Sequence, residues 1–403
     1  MPVIQQALVT ARAVRTIAPA RAGIAFRAAL CVGVPLTVGL AAGHPEAGAA
    51  ATFGALAGLY VPLSPYRYRG RVVATVAAGL VVSVLVGGLV AGHGVLAAVV
   101  TGVVAGVGSF VCQAADLPPP RELMLVMAVL AATAVPAGGA TALQRAGLAA
   151  TGAAFAWIVT MAPALLGRHR EPERRAVTAA IAAVARLLDT IGAPGAAAAR
   201  HDAVLAVRRA QATVAQGALP PDHLLARAAV SAEVLLEAAL HIDVEASGPV
   251  DPRWGAAVRG LATAAAGSPV VESPLPDAGS TLGADVLRRA LDDARASLRG
   301  AGPRTTPLRA LPRWPGLRLQ VLAAGRHHSV VVPASARLAV AVALGVGLGQ
   351  ALGLGHAYWV GLTAAAVLQG SNLTVTRRRV VHRLPGARPP RAHRCGTAPA
   401  RGR

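Results

Sequence analysis

An all-α integral membrane protein is the fold class this sequence predicts, and three observations predict it. Hydrophobic residues make up 54% of the 403 positions and charged residues 14%, against about 25% charged in a soluble domain. The apolar mass is small and aliphatic, with 3% aromatic residues and 44 glycines. Apolar runs of spanning length alternate with arginine-bearing connections. Small side chains suit helices in lipid, where close backbone approach replaces the hydrophobic drive between helices.

The net charge of +21 invites comparison with a nucleic-acid binder. The distribution argues against that partner. No basic stripe is interleaved with stacking aromatics, and many arginines flank apolar runs, where charge orients a membrane chain. All basic side chains other than histidine are arginine. Cys31 and Cys112 lie inside apolar runs and Cys395 in the tail, so no metal-ligating or redox CxxC pair forms.

A spanning helix needs about 20 mostly apolar residues. After a basic N-terminus, 1–27, six runs fill the first membrane domain, 28–166: 28–44, 48–64, 72–92, 94–114, 121–137 and 146–166. Arg12, Arg15, Arg21 and Arg27 precede the first. Arg67, Arg69 and Arg71 separate the second from the third, and Arg121 the fourth from the fifth. Arg168, Arg170, Arg174 and Arg175 follow the sixth. Arginine on alternate connections places the N-terminus inside. A signal peptide cut after "LAAGH" fits less well, because its basic leader is long and five more spans follow.

Residues 167–327 carry 15 of the 18 acidic residues and read as a cytoplasmic helical domain. Val177, Ile181, Val184 and Leu188 recur at helical spacing. A helix opening at "PPDHLLARAAV" has Asp222 as its expected cap. Val286, Ala290 and Leu291 share a face of another. "GSPVVESPLPDAGS" reads as a linker.

The second membrane domain, 328–383, holds two spans, 333–354 and 356–371, with Arg326 and Arg337 on the near side and Arg377, Arg378 and Arg379 on the far side. The arrangement repeats the start of the chain. Arg27 and Arg337 each open an apolar hairpin, and Arg71 and Arg379 close it, each followed by Val-Val. Such repeats build many transporters. The first copy leads into a third span; the second leads into a basic, proline-rich tail, 384–403. That tail reads either as natural disorder or as out-of-frame translation of a truncated second half.

"YWVGLTAAAVLQ" followed by "TRRRVVHR" resembles the signature of the fusaric-acid-resistance-like (FUSC) family, which includes aromatic acid exporters. Tyr358, Trp359, Leu362, Thr363, Leu368, Gln369, Thr376 and Arg379 match its pattern. Gly370 stands where the family has proline, and Leu384-Pro385-Gly386 replaces its Gly-Thr element. The resemblance implies six spans, a cytoplasmic helical domain and a second membrane half, here incomplete with two spans. It implies export of small, aromatic organic acids from the plasma (inner) membrane, with Tyr358, Trp359, Thr363, Gln369, Arg377, Arg378 and Arg379 as substrate-binding residues and no cofactor. Two other readings stay open: a non-transporting scaffold whose cytoplasmic helices bind a partner, and an inactive truncated product. The oligomeric state is open too.

Each site residue has a plainer role beside the chemical one. Tyr358 and Trp359 suit a membrane interface as well as an aromatic substrate. Arg377–Arg379 hold a turn in the cytoplasm; together with Arg27 they would also draw anions. Gln369 needs a partner in lipid. Glu122 beside Arg121 reads as a neutralised loop pair. Gly345, Gly349 and Gly353, like Gly39/Gly43 and Gly102/Gly106, read as small-residue packing seams, and Pro35 as a kink. No carboxylate pair, Ser-His-Asp set or HExxH motif supports an enzyme or a metal site.

Overall fold

The computed structural model describes residues 2–134, 139–246, 248–270, 274–276, 282–300, 317–325, 329–354, 356 and 358–368. Among the described residues the regular structure is helical, with no strand. Among the described residues, five helices are long and apolar enough to cross a membrane: Ala22–Ala41, Tyr66–Leu89, Gly94–Ala114, Ala142–Arg168 and Val331–Ala351. A helix meets every internal backbone donor and acceptor within itself, as lipid requires.

Of the eight spans the sequence predicts, the second is broken within the described residues, while the fifth and eighth are helical up to the last residue described before a gap. The second is helix α2 (Pro45–Ala55), the fifth α5 (Leu123–Ala134) and the eighth α14 (Tyr358–Leu368). In the second, Pro62 and Pro65 lack the N–H that would continue a helix. The chain leaves α2 through a 3-10 turn, Leu56–Leu59, and then Tyr60 is extended and Val61 takes φ 42°. The first helix, α1 (Pro2–Ala41), runs on through Pro35.

The chain forms two compact units, 1–81 with 144–316 and 82–143 with 317–403. In the first, α1 and α2 form a hairpin closed by missing side chains. A Cβ on Gly48 would lie 3.0 Å from the Gly39 Cα, and one on Gly58 would lie 2.8 Å from the Cys31 sulfur. Helix α6 (Ala142–Pro163) crosses α2 as closely, with Gly54 against the Ala149 carbonyl and Gly152 against the Ala51 carbonyl. Cys31, Ala55 and Ala156 are buried between these elements. Helix α3 (Tyr66–Leu89) begins in this unit and ends in the other.

The same unit holds five amphipathic helices around one core: α7 (Glu171–Thr190), α8 (Ala196–Gln216), α9 (Leu224–Glu245), α10 (Pro252–Ala265) and α11 (Leu282–Leu298). Val177, Ile181, Val184 and Leu188 all face that core, with Ala290 and Leu291 from α11 and Val286 partly buried beside them. Proline-led starts and acidic first turns favour helix N-termini; α7 has Pro172 with Glu171 and Glu173, and α10 has Pro252 behind an Asp251 cap. The α9 cap is His223 rather than Asp222: the Leu225 amide donates to His223 Nδ1 at 3.1 Å.

In the second unit, α4 (Gly94–Ala114) packs along α13 (Val331–Ala351), and α14 along both α13 and α5. Helix α12 (Leu317–Ala324) lies on α4. Gly102 and Gly106 meet Ala339, and Gly345 meets Val360 and Gly361. Those glycines form seams as expected. Gly43 (φ 74°) and Gly353 (φ 61°) instead occupy turns, where a side chain is strained. Ala98, Ala105, Val126, Leu130, Leu338, Val342, Val346 and Ala365 fill the core between the helices.

Gly147 and Gly152 on α6 make a controlled comparison, since a Cβ at Gly147 meets nothing within 4 Å. Gly152→Val overpacks a backbone contact and should destabilise the chain by about 1–3 kcal/mol or more. Gly147→Val should leave thermal unfolding in detergent unchanged. Equal melting of both variants would contradict the packing described.

The His223 cap requires an unprotonated Nδ1. Partial burial, reinforced by the nearby Arg170 and Arg227 and opposed by Glu173 and Asp222, holds this imidazole below the usual histidine range. A depressed folded pKa means the cap contributes fully above the ordinary histidine value and is lost as pH falls through the folded one. Hydrogen exchange at the start of α9 should therefore quicken on acidification. In His223→Asn, which caps without titrating, that dependence should vanish.

Candidate functional site

Helix α3 turns one face inward through Arg69, Val73, Val76, Ala77 and Leu80, all buried. The spacing is that of one helical stripe, and its first member is charged. Arg67 and Arg71, two residues to either side, are exposed. Arg69 is 2% exposed. Its Nη2 donates to the Ser64 carbonyl at 2.7 Å, and its guanidinium lies 4.6 Å from the Tyr66 ring centre. Its Nε and Nη1 are buried without a hydrogen-bond partner.

The α1–α2 hairpin brings a second guanidinium to the same place. Arg27 donates from Nε to the Gly23 carbonyl at 3.2 Å and from Nη2 to the Pro62 carbonyl at 3.4 Å. Arg27, Arg69 and Thr160, with Ile24, Gly58 and Pro62 among the apolar wall, line a cleft of about 30 Å³. That is room for one or two waters or a carboxylate. The Thr160 hydroxyl is bonded to the Ala156 and Trp157 carbonyls, each at 2.9 Å. Gly58, on the cleft wall, packs its Cα face on Cys31, where a Cβ would lie 2.8 Å from the sulfur. Val61, beside Pro62, is β-branched at positive φ, a conformation that costs about 1–3 kcal/mol and gathers at functional sites.

The cleft is cationic. No acidic side chain lines it. The carboxylate that acts on Arg69 is Glu173, 1% exposed, which pairs with Arg170 at 3.3 Å and leaves its Oε2 unpartnered. Arginine stays ionised in proteins. Two guanidiniums around one small space repel each other unless an anion lies between them. A carboxylate would accept from Nη1 or from Nε, with the remaining Nη2 hydrogen completing the planar fork arginine offers.

The residues singled out at the chain's end lie in the other unit. Tyr358, Trp359 and Thr363 open α14. Tyr358 is half-buried, 5.8 Å edge-on to His356 and 5.6 Å from Trp359 by ring centres. Trp359 is 55% exposed and Thr363 is exposed one turn on, so they share an outward face. Gln369, Arg377, Arg378 and Arg379 lie outside the described residues. Arg337, the counterpart of Arg27 in the sequence repeat, is half-buried on α13 with Nε and Nη2 unpartnered. Among the described residues no group of three His, Cys, Asp or Glu could hold a metal ion. Cys31 and Cys112 are buried free thiols.

Against known proteins, the chain is 26% identical over 361 residues to the uncharacterized membrane protein YvaC of Bacillus subtilis (strain 168). The match covers 88% of this chain and 57% of that protein, so the chain spans little more than half the relative's length. No protein-family model and no solved structure matches. The relative's description and the five apolar helices agree with a membrane-inserted chain.

Proposed function

We propose that this chain is a FUSC-type, transporter-like membrane protein that exports small organic acids, and that Arg27 and Arg69 take the substrate carboxylate. The observation that carries the reading is the buried Arg69 guanidinium, with two nitrogens unpartnered on a cleft shared with Arg27. Leaving a buried charge unpaired costs several kcal/mol. A carboxylate in the cleft removes that cost and cancels the Arg27–Arg69 repulsion. The cleft admits the carboxylate alone, so the rest of the acid lies at its mouth.

The positive-inside rule assigns the Arg27, Arg69 and Arg168 ends to the cytoplasm, which sets the cleft on the side from which an exporter loads. Tyr358 and Trp359, with Arg377–Arg379 beyond them, are the matching recognition element of the second half.

The test compares benzoate binding to full-length chains in lipid nanodiscs. Arg69→Lys keeps the charge but not the planar fork. Losing charge-assisted hydrogen bonds of about 1.5–3 kcal/mol should weaken binding about ten- to hundred-fold. Arg67→Lys and Arg71→Lys, on exposed positions, should bind as the parent does. Equal binding by all four proteins would overturn the assignment.

A further inference from the structure

Glu122 stands at the entry to α5. In the sequence it sits beside Arg121, and the pair reads as mutually neutralised. In the structure Arg121 stays within electrostatic reach of Glu122, but no hydrogen bond joins the two. Arg121 takes φ 48°, and its Nε donates to the Leu117 carbonyl at 2.9 Å. Glu122 is 1% exposed. Neither carboxyl oxygen reaches a hydrogen-bond partner on another residue.

The space it occupies is built by α4. A Cβ at Gly108 would lie 3.3 Å from the Glu122 Cβ and 2.9 Å from Leu125 Cδ1. One turn further, Cys112 is the titratable group of α4 within electrostatic reach of Glu122. Ser109 and Gln113, on the same helix, bond to each other at 2.8 Å. Helix α14, which also packs on α5, carries Tyr358 as its titratable residue. Arg121 supplies the cation of Glu122's own segment. No basic group is hydrogen-bonded to the carboxyl.

An ionised carboxylate so enclosed costs several kcal/mol, and such a group stays protonated instead. Acids buried in membrane segments are rare and mark proton or ion paths. We propose that Glu122 is a proton-binding group, neutral while the entry to α5 is closed and discharging when it opens to water. In discharge the carboxyl O–H bond breaks and the proton passes to water; reloading reverses the step. Coupling of this step to acid export rests on the transport reading above.

Infrared difference spectroscopy on the full-length chain in lipid tests the proton site directly. At neutral pH the parent should show a protonated-carboxyl band that Glu122→Gln lacks and Glu122→Asp keeps, shifted. Absence of that band would overturn the proposal, whatever the transport result. In proteoliposomes, Glu122→Gln should lose benzoate accumulation driven by an imposed pH step while keeping benzoate exchange between equal pools. Full pH-driven accumulation by that variant would also overturn it. If no version moves benzoate, the export reading fails and the infrared result alone decides the proton site.

Discussion

Close backbone approach at small residues is the constraint on which the membrane part of this protein rests. Within the first unit, Gly39 on Gly48, Gly58 on Cys31, Gly54 on Ala149 and Gly152 on Ala51 fix how near α1, α2 and α6 can come. Lipid offers no hydrophobic reward for joining apolar helices, so contact area and dispersion must do it. The cleft is a product of the same spacing. Gly58 keeps α1 near enough for Arg27 to reach the Pro62 carbonyl at the cleft wall.

Two buried ionisable groups meet the cost of low dielectric in different ways. Arg69 cannot give up its charge, so it spreads it over the Ser64 carbonyl, the Tyr66 ring and the field of Glu173. Two of its nitrogens remain for a ligand. Glu122 has no such array, and for a carboxyl protonation is the cheaper solution. The difference in chemistry between guanidinium and carboxyl separates an anion-recognition role from a proton-binding one.

Much of this was legible in the sequence. The helical class, the long apolar runs and the core stripe of α7 follow from composition and period. Arg69 could have been found too. Counting from the Tyr66 start, it heads the Val73, Val76, Ala77, Leu80 stripe, whereas Arg67 and Arg71 fall outside it. Reading all three as one orienting cluster hid that. Other features are not written in one sequence. The early end of α2 depends on how Tyr60 and Val61 pack, and the α9 cap passes from Asp222 to His223 by a one-residue shift of the helix start. Glu122 and Arg121 are neighbours in sequence and stay within electrostatic reach, yet no hydrogen bond joins them. The Glu122 Cβ packs against Gly108 of the preceding helix, a contact between helices that a single sequence does not display.

The central claim is that the Arg27–Arg69 cleft holds a carboxylate. A structure of the full-length chain in lipid with bromobenzoate, with the bromine located by anomalous scattering, tests it most directly. The account predicts bromine at the mouth of the cleft and a carboxylate oxygen within hydrogen-bond reach of Arg69 Nη1 or Nε. Bromine found only elsewhere, with the cleft holding water or a closed Arg69, would contradict it.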